Sequence, residues 1–173
     1  MTQRATRRAR VSSLHSEIRP LRRVHTWTIH DTVVNIAFFL TPKADVAWVR
    51  TTSTVRQAIE RMEHYRYTAV PLLSPVGYYA GTLTEGDLLW FMKQNPTLRF
   101  EDTERVALES VPLRLNIRPI RIGADIEQLY TMVLDQNFVP VVDDRDAFIG
   151  IVRRRAILSY FHDRMMAAVR ASA

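Results

Sequence analysis

Cysteine is absent from the 173 residues, which excludes disulfides, thiolate zinc sites and cysteine nucleophiles. Glycine is scarce, five residues in all, and forms neither a phosphate-binding Gly-rich loop nor a Gly-x-Ser-x-Gly turn. No apolar run reaches the roughly 20 residues of a membrane helix. The longest, Val33 to Leu40, is broken by Asn35. The Arg-rich start lacks the apolar stretch of an export signal, so the expectation is a cytoplasmic protein. His15, His25, His30, His64 and His162 show no metal-ligand spacing with carboxylates. What is present, 47% hydrophobic and 24% charged residues, suits one globular domain or two small repeats sharing a core.

Charge is unevenly placed. Residues 1–30 hold seven arginines (Arg4, Arg7, Arg8, Arg10, Arg19, Arg22 and Arg23) against Glu17, a net of +6. The remaining 17 basic and 17 acidic residues cancel. The basicity therefore belongs to an arm, read as a flexible tail or as a contact for RNA, DNA or another anionic surface.

The body repeats itself. Tyr67 to Leu73 recurs as Asn137 to Val142, and Gly81-Thr82-Leu83 recurs as Gly150-Ile151-Val152. Pro71 and Pro140 stand 69 residues apart, as do Gly81 and Gly150. In the first repeat a short strand at Ala47 to Arg50 leads to hydroxyls at Thr51 to Thr54 that can cap a helix. Val55, Ala58, Ile59 and Met62 give that helix one apolar face. Strands follow at Thr68 to Leu73 and Tyr78 to Leu83, then a helix from about Glu85 to Lys93. The second repeat has a strand at Pro119 to Ile122 and a helix opened by Asp125 with Ile126, Leu129, Met132 and Val133 inward. Its strands at Phe138 to Val142 and Phe148 to Val152 precede a helix from Arg154 to about Val169. An extra helix, about Thr32 to Leu40, precedes the whole. The resulting divisions are a basic arm (1–30), a first motif with its preceding helix (31–93), a linker (94–105) and a second motif (106–170).

Two stretches have chemistry of their own. Thr84-Glu85-Gly86-Asp87 is a Thr-x-x-Asp helix cap at a helix N-terminus, where free backbone amides also attract phosphate. Arg153, Arg154 and Arg155 open a helix, where cations oppose the dipole at about 0.3–1 kcal/mol each. A bound phosphate would reverse that penalty; pairing with Asp143, Asp144, Asp146 or Asp163 is the plainer alternative. The aspartates 143, 144 and 146 themselves read as a turn between strands rather than a calcium loop.

The doubled β-α-β-β-α unit, with a Pro-containing strand and a following Gly-led strand, resembles the CBS domain, here as a tandem pair (Bateman module) over roughly residues 32–163. The resemblance implies an α/β (α+β) fold of two repeats packed pseudo-symmetrically, sheet to sheet, with an N-terminal extension. It also implies a homodimer, and clefts that bind AMP, ATP, S-adenosylmethionine or cyclic di-AMP as regulatory ligands, with no catalytic cofactor or metal. Tyr67-Thr68-Ala69-Val70-Pro71 and Gly150-Ile151-Val152-Arg153-Arg154-Arg155 are most similar to small stand-alone bacterial CBS proteins that bind cyclic di-AMP. By that resemblance one cleft would join Ala47, Thr68 and Ala69 to Arg154 and Arg155, with Arg153 beside them. The other would join Asn137, Phe138 and Val139 to Thr84 and Asp87. Ala47, Ala69, Pro71 and Val139 would pack against adenine. Arg153 and Ala156 stand where the second repeat would carry a Thr and an Asp, so its cleft lacks the usual ribose carboxylate. The implied activity is a non-enzymatic sensor acting on an unidentified target protein. The rivals are a nucleic-acid binder using the arm and a ligand-free dimerisation module.

Overall fold

Residues 34–171 are described by a computed structural model, and within them the 69-residue repeat is visible strand by strand. In the first repeat β2 (Val49–Arg50) leads to α1 (Val55–Tyr65), then the hairpin β3 (Ala69–Leu73) and β4 (Tyr79–Thr84), then α2 (Glu85–Gln94). In the second, β5 (Ile120–Arg121), α3 (Ile126–Asp135), β6 (Phe138–Val142), β7 (Phe148–Arg153) and α4 (Arg154–Ala171) follow in the same order. The apolar spacing read from the sequence faces inward as expected. Val55, Ala58 and Met62 are buried on α1, with Ile59 partly so; Ile126, Leu129 and Val133 are buried on α3, with Met132 at the margin. Thr54 closes a full capping box with Gln57, whereas Asp125 sits at the α3 N-cap without a side-chain bond.

The hairpins match even in their irregularities. Leu72 pairs with Gly81 and Val141 with Gly150, and a register shift follows each pair. The left-handed turn residues are Gly77 (φ 94) and Asp146 (φ 64), again 69 apart. Asp143 accepts the amides of Arg145 and Ala147 and Asp146 pairs with Arg121 at 2.7 Å, so these carboxylates build the turn.

The segment before the first repeat differs from the expected helix. Of the residues expected as helix, 32 and 33 lie outside the described ones. The rest form a single 3-10 turn, Ile36–Phe39, begun by Asn35, whose side chain accepts the Ala37 amide at 2.8 Å. Ile36 and Phe39, three apart, are the two residues that must reach the core of the second repeat, so one tight turn suffices. The chain then extends as β1 (Leu40–Pro42), antiparallel to β7, with Pro42, which has no amide to donate, as its last residue. The result is a four-stranded sheet β1-β7-β6-β5 and a three-stranded sheet β2-β3-β4. Gly150 is required where β1 passes: a Cβ there would strike the Thr41 carbonyl oxygen.

The sheets meet on a small cluster of Val46, Leu73, Phe148 and Ile151. Tyr79 stacks on Phe148, ring centroids 6.4 Å apart, and Tyr78 bridges Ala147. Each of these pairs joins a residue to its own counterpart in the other repeat, as contacts on a pseudo-twofold axis must. The connection between repeats packs on the first one. Leu108 and Val111 enter its core, and the Leu108 amide bonds the Ser53 carbonyl at 2.9 Å.

Candidate functional site

Two clefts lie between the repeats. The first, about 350 Å³, brings Ala47, Tyr67, Thr68, Ala69 and Pro71 of the first repeat against Asn137, Phe138, Ile151, Arg153 and Arg155 of the second, with Val46 and Arg66. The second, about 750 Å³, sets Thr68, Ala69, Thr84, Glu85 and Gly86 against Arg118, Asp135, Gln136, Asn137 and Phe138, among others. Thr68, Ala69, Asn137 and Phe138 line both, so the clefts adjoin.

Local structure explains why these residues point inward. Strands β3 and β6 begin at the clefts, and each repeat's last helix starts on the opposite strand's end. The Glu85 amide donates to the Thr68 carbonyl at 3.0 Å and the Arg154 amide to the Asn137 carbonyl at 2.9 Å, the same bond in both repeats. These bonds tie the first turns of α2 and α4 to the cleft floors.

The arginine triplet is divided by this geometry. Arg153 ends β7, with Nη2 3.4 Å from the Tyr67 hydroxyl, and Arg155 lines the first cleft; both are exposed. Arg154 turns the other way. Its Nε donates to the Gln136 carbonyl at 3.0 Å and its Nη2 to the Leu134 carbonyl at 3.2 Å, closing the end of α3. Arg154, expected at the nucleotide, lines neither cleft and makes these bonds within the fold. The pairing with Asp146 considered for the triplet is pre-empted by Arg121. Among the described residues no carboxylate lines the first cleft.

Asp87 is likewise occupied. It is 1% exposed, and its Oδ2 accepts the Thr84 amide at 2.9 Å and the Thr84 hydroxyl at 2.7 Å. Its Oδ1 accepts the Arg114 amide at 2.9 Å. The carboxylate therefore caps α2 and anchors the inter-repeat connection. Thr84 reaches the second cleft, but its hydroxyl is held by Asp87. Val139 is wholly buried in the core of the second repeat and lines neither cleft. Ala47, Thr68, Ala69, Pro71, Asn137 and Phe138 all reach a cleft.

Two cleft-lining features went unread in the sequence. One is the wall Leu115 to Pro119, which belongs to the second cleft because Tyr79 holds it: the partly buried tyrosine hydroxyl donates to the Ile117 carbonyl at 2.8 Å. Burial pushes that hydroxyl up to about 12, an effect its bond to Thr82 partly offsets. The other is Arg66, which directly precedes the quoted Tyr67-Thr68-Ala69 phrase. Its signal was adjacency to that phrase and nothing chemical.

The CBS domain family model matches residues 38–94 and 110–163, more than half of the chain. Among characterised proteins, Cyclic di-AMP receptor B of Bacillus subtilis is 27% identical over 120 residues, covering 69% of this chain and 81% of its own. Among solved structures, CbpB in complex with c-di-AMP superposes with a TM-score of 0.70 at 21% identity, covering 80% of this chain and 91% of that one. CBSX2 in complex with AMP gives 0.58 at 19% identity, covering 80% and 98%. At these identities the structural likenesses establish the fold.

Proposed function

The chain belongs to the CBS-domain family, and on that footing we propose that it is a non-enzymatic regulator that binds an adenine nucleotide in the first cleft. The observation that carries this is the asymmetry of the triplet: Arg153 and Arg155 face a cleft whose lining, among the described residues, holds no carboxylate, while Arg154 is used elsewhere. Arg155 has no side-chain hydrogen bond or ion pair among the described residues, so a phosphate meets an uncommitted guanidinium at the start of α4. Ala47, Ala69, Pro71 and Ile151 supply apolar surface for a base. Cyclic di-AMP is the ligand we place first, because the curated relative and two structural neighbours are named for it or bind it; AMP or ATP comes second.

A phosphate on Arg153 and Arg155 with its base on β3 would bridge the two repeats. Binding then favours whichever arrangement of repeats, or of two copies of the chain, holds the ligand better, and a target protein reads that arrangement.

The test is thermal unfolding with AMP, ADP, ATP, cyclic di-AMP, cyclic di-GMP and S-adenosylmethionine. A ligand at a hundred times its dissociation constant stabilises by about 2.7 kcal/mol, a plain shift in midpoint. The shift should appear with cyclic di-AMP and vanish when Arg153 and Arg155 are both replaced by Met. No shift with any nucleotide would overturn the assignment and favour a ligand-free module.

A further inference from the structure

The three guanidiniums of the first cleft come from different repeats, and the one outside the triplet is held in an unusual backbone. Arg66 closes α1 in the left-handed conformation, φ 55 and ψ 39, its amide donating to the Glu63 and Met62 carbonyls. That position favours glycine or asparagine, since a Cβ there crowds the following carbonyl. Arg66 nevertheless stands there, its side chain lining the cleft and without a hydrogen bond or ion pair among the described residues. A strained backbone at a ligand-facing position points to a role for the side chain.

The second cleft supplies a comparison within the same molecule. Sixty-nine residues on, the counterpart of Arg66 is Asp135, which lines that cleft; there α3 ends at Gln136 in an extended conformation (φ −113), with no left-handed residue. The positions matching Arg153 and Arg155 are Thr84 and Gly86. At these three positions, where the first cleft carries cations, the second presents an acid or a neutral group; its own cation, Arg118, stands elsewhere in the lining.

We propose that Arg66 is a specificity-determining residue: it selects ligands with two separate phosphate groups over mononucleotides. This rests on nucleotide binding in the first cleft. Arg153 and Arg155 stand on the β7–α4 wall and Arg66 on the α1–β3 wall. A single phosphate is met by the first pair. A ligand with two phosphodiester groups places its second at Arg66, where it gains a charge-assisted contact that AMP does not make.

Titration calorimetry of the full chain with cyclic di-AMP and with AMP tests this on the wild type, Arg66→Gly and Arg66→Asn. Both replacements suit the left-handed backbone, so the unfolding midpoint without ligand should hold or rise. Cyclic di-AMP should weaken about tenfold and AMP by less than about threefold, as expected for one lost charged contact. Unchanged affinity for cyclic di-AMP, or an equal loss for both ligands, would overturn the role of Arg66 while leaving the cleft assignment standing. A wild type that binds neither ligand would remove the cleft assignment and this role together.

Discussion

Among neighbouring residues of one type, the hydrogen bonds already made separate structural from ligand-facing positions. Arg154 donates two bonds to carbonyls at the end of α3, so Arg154→Ala should cost about 1–2 kcal/mol in chemical denaturation and leave nucleotide affinity within about twofold. Arg155→Met should do the opposite, with stability unchanged and affinity lowered about tenfold or more, read by calorimetry. Asp87 is a second such case. Its carboxylate satisfies two backbone amides and a hydroxyl inside the fold, so Asp87→Ala strands those donors and should cost about 2–4 kcal/mol. A denaturation midpoint that barely moved would refute the capping role. The Thr-x-x-Asp pattern was legible in the sequence as both cap and ribose site. Only the Arg114 amide, 27 residues away, shows how fully the carboxylate is used.

At the level of elements, the strands and helices of both repeats lie where spacing puts them, because burial of one face is decided within each segment. The exception is the entry to the first repeat. A helix from about Thr32 to Leu40 is expected there, yet the chain must cross to the edge of the second repeat's sheet, and a strand spans more distance per residue than a helix. The crossing depends on Gly150. Gly150→Ala drives a Cβ into the Thr41 carbonyl and should cost roughly 3 kcal/mol or more, lowering the unfolding midpoint. Gly81→Ala should be milder by the same measurement, since its Cβ would meet the movable Leu113 side chain at 2.6 Å.

For the whole molecule, the pseudo-twofold axis runs through Tyr79 and Phe148, and Tyr79 also has a pH signature. Its hydroxyl titrates at about 12, above the 10.0 of a free tyrosine, because burial penalises the phenolate. The folded state therefore prefers the protonated form. That contribution is complete below pH 10 and lost as the pH rises toward 12. Tyr79→Phe should flatten the stability curve across that window, and equal slopes for both proteins would contradict the assignment. Among the described residues no helix is long and apolar enough to cross a membrane. The basic arm, residues 1–30, lies outside the described residues, and its contact with nucleic acid remains a separate proposal. Binding to RNA that falls steeply with salt and is lost on removing residues 1–28 would support it. By itself the sequence determined the duplicated unit, its strand and helix order, and the concentration of charge at one end, since each of these is a property of residues in local order. The tertiary structure decided which guanidiniums face a cleft. Successive positions at a strand–helix junction point in different directions, so three adjacent arginines cannot share one environment. A left-handed turn sixty-nine residues before Asp135 adds a cation from the other repeat, a juxtaposition that no local pattern encodes.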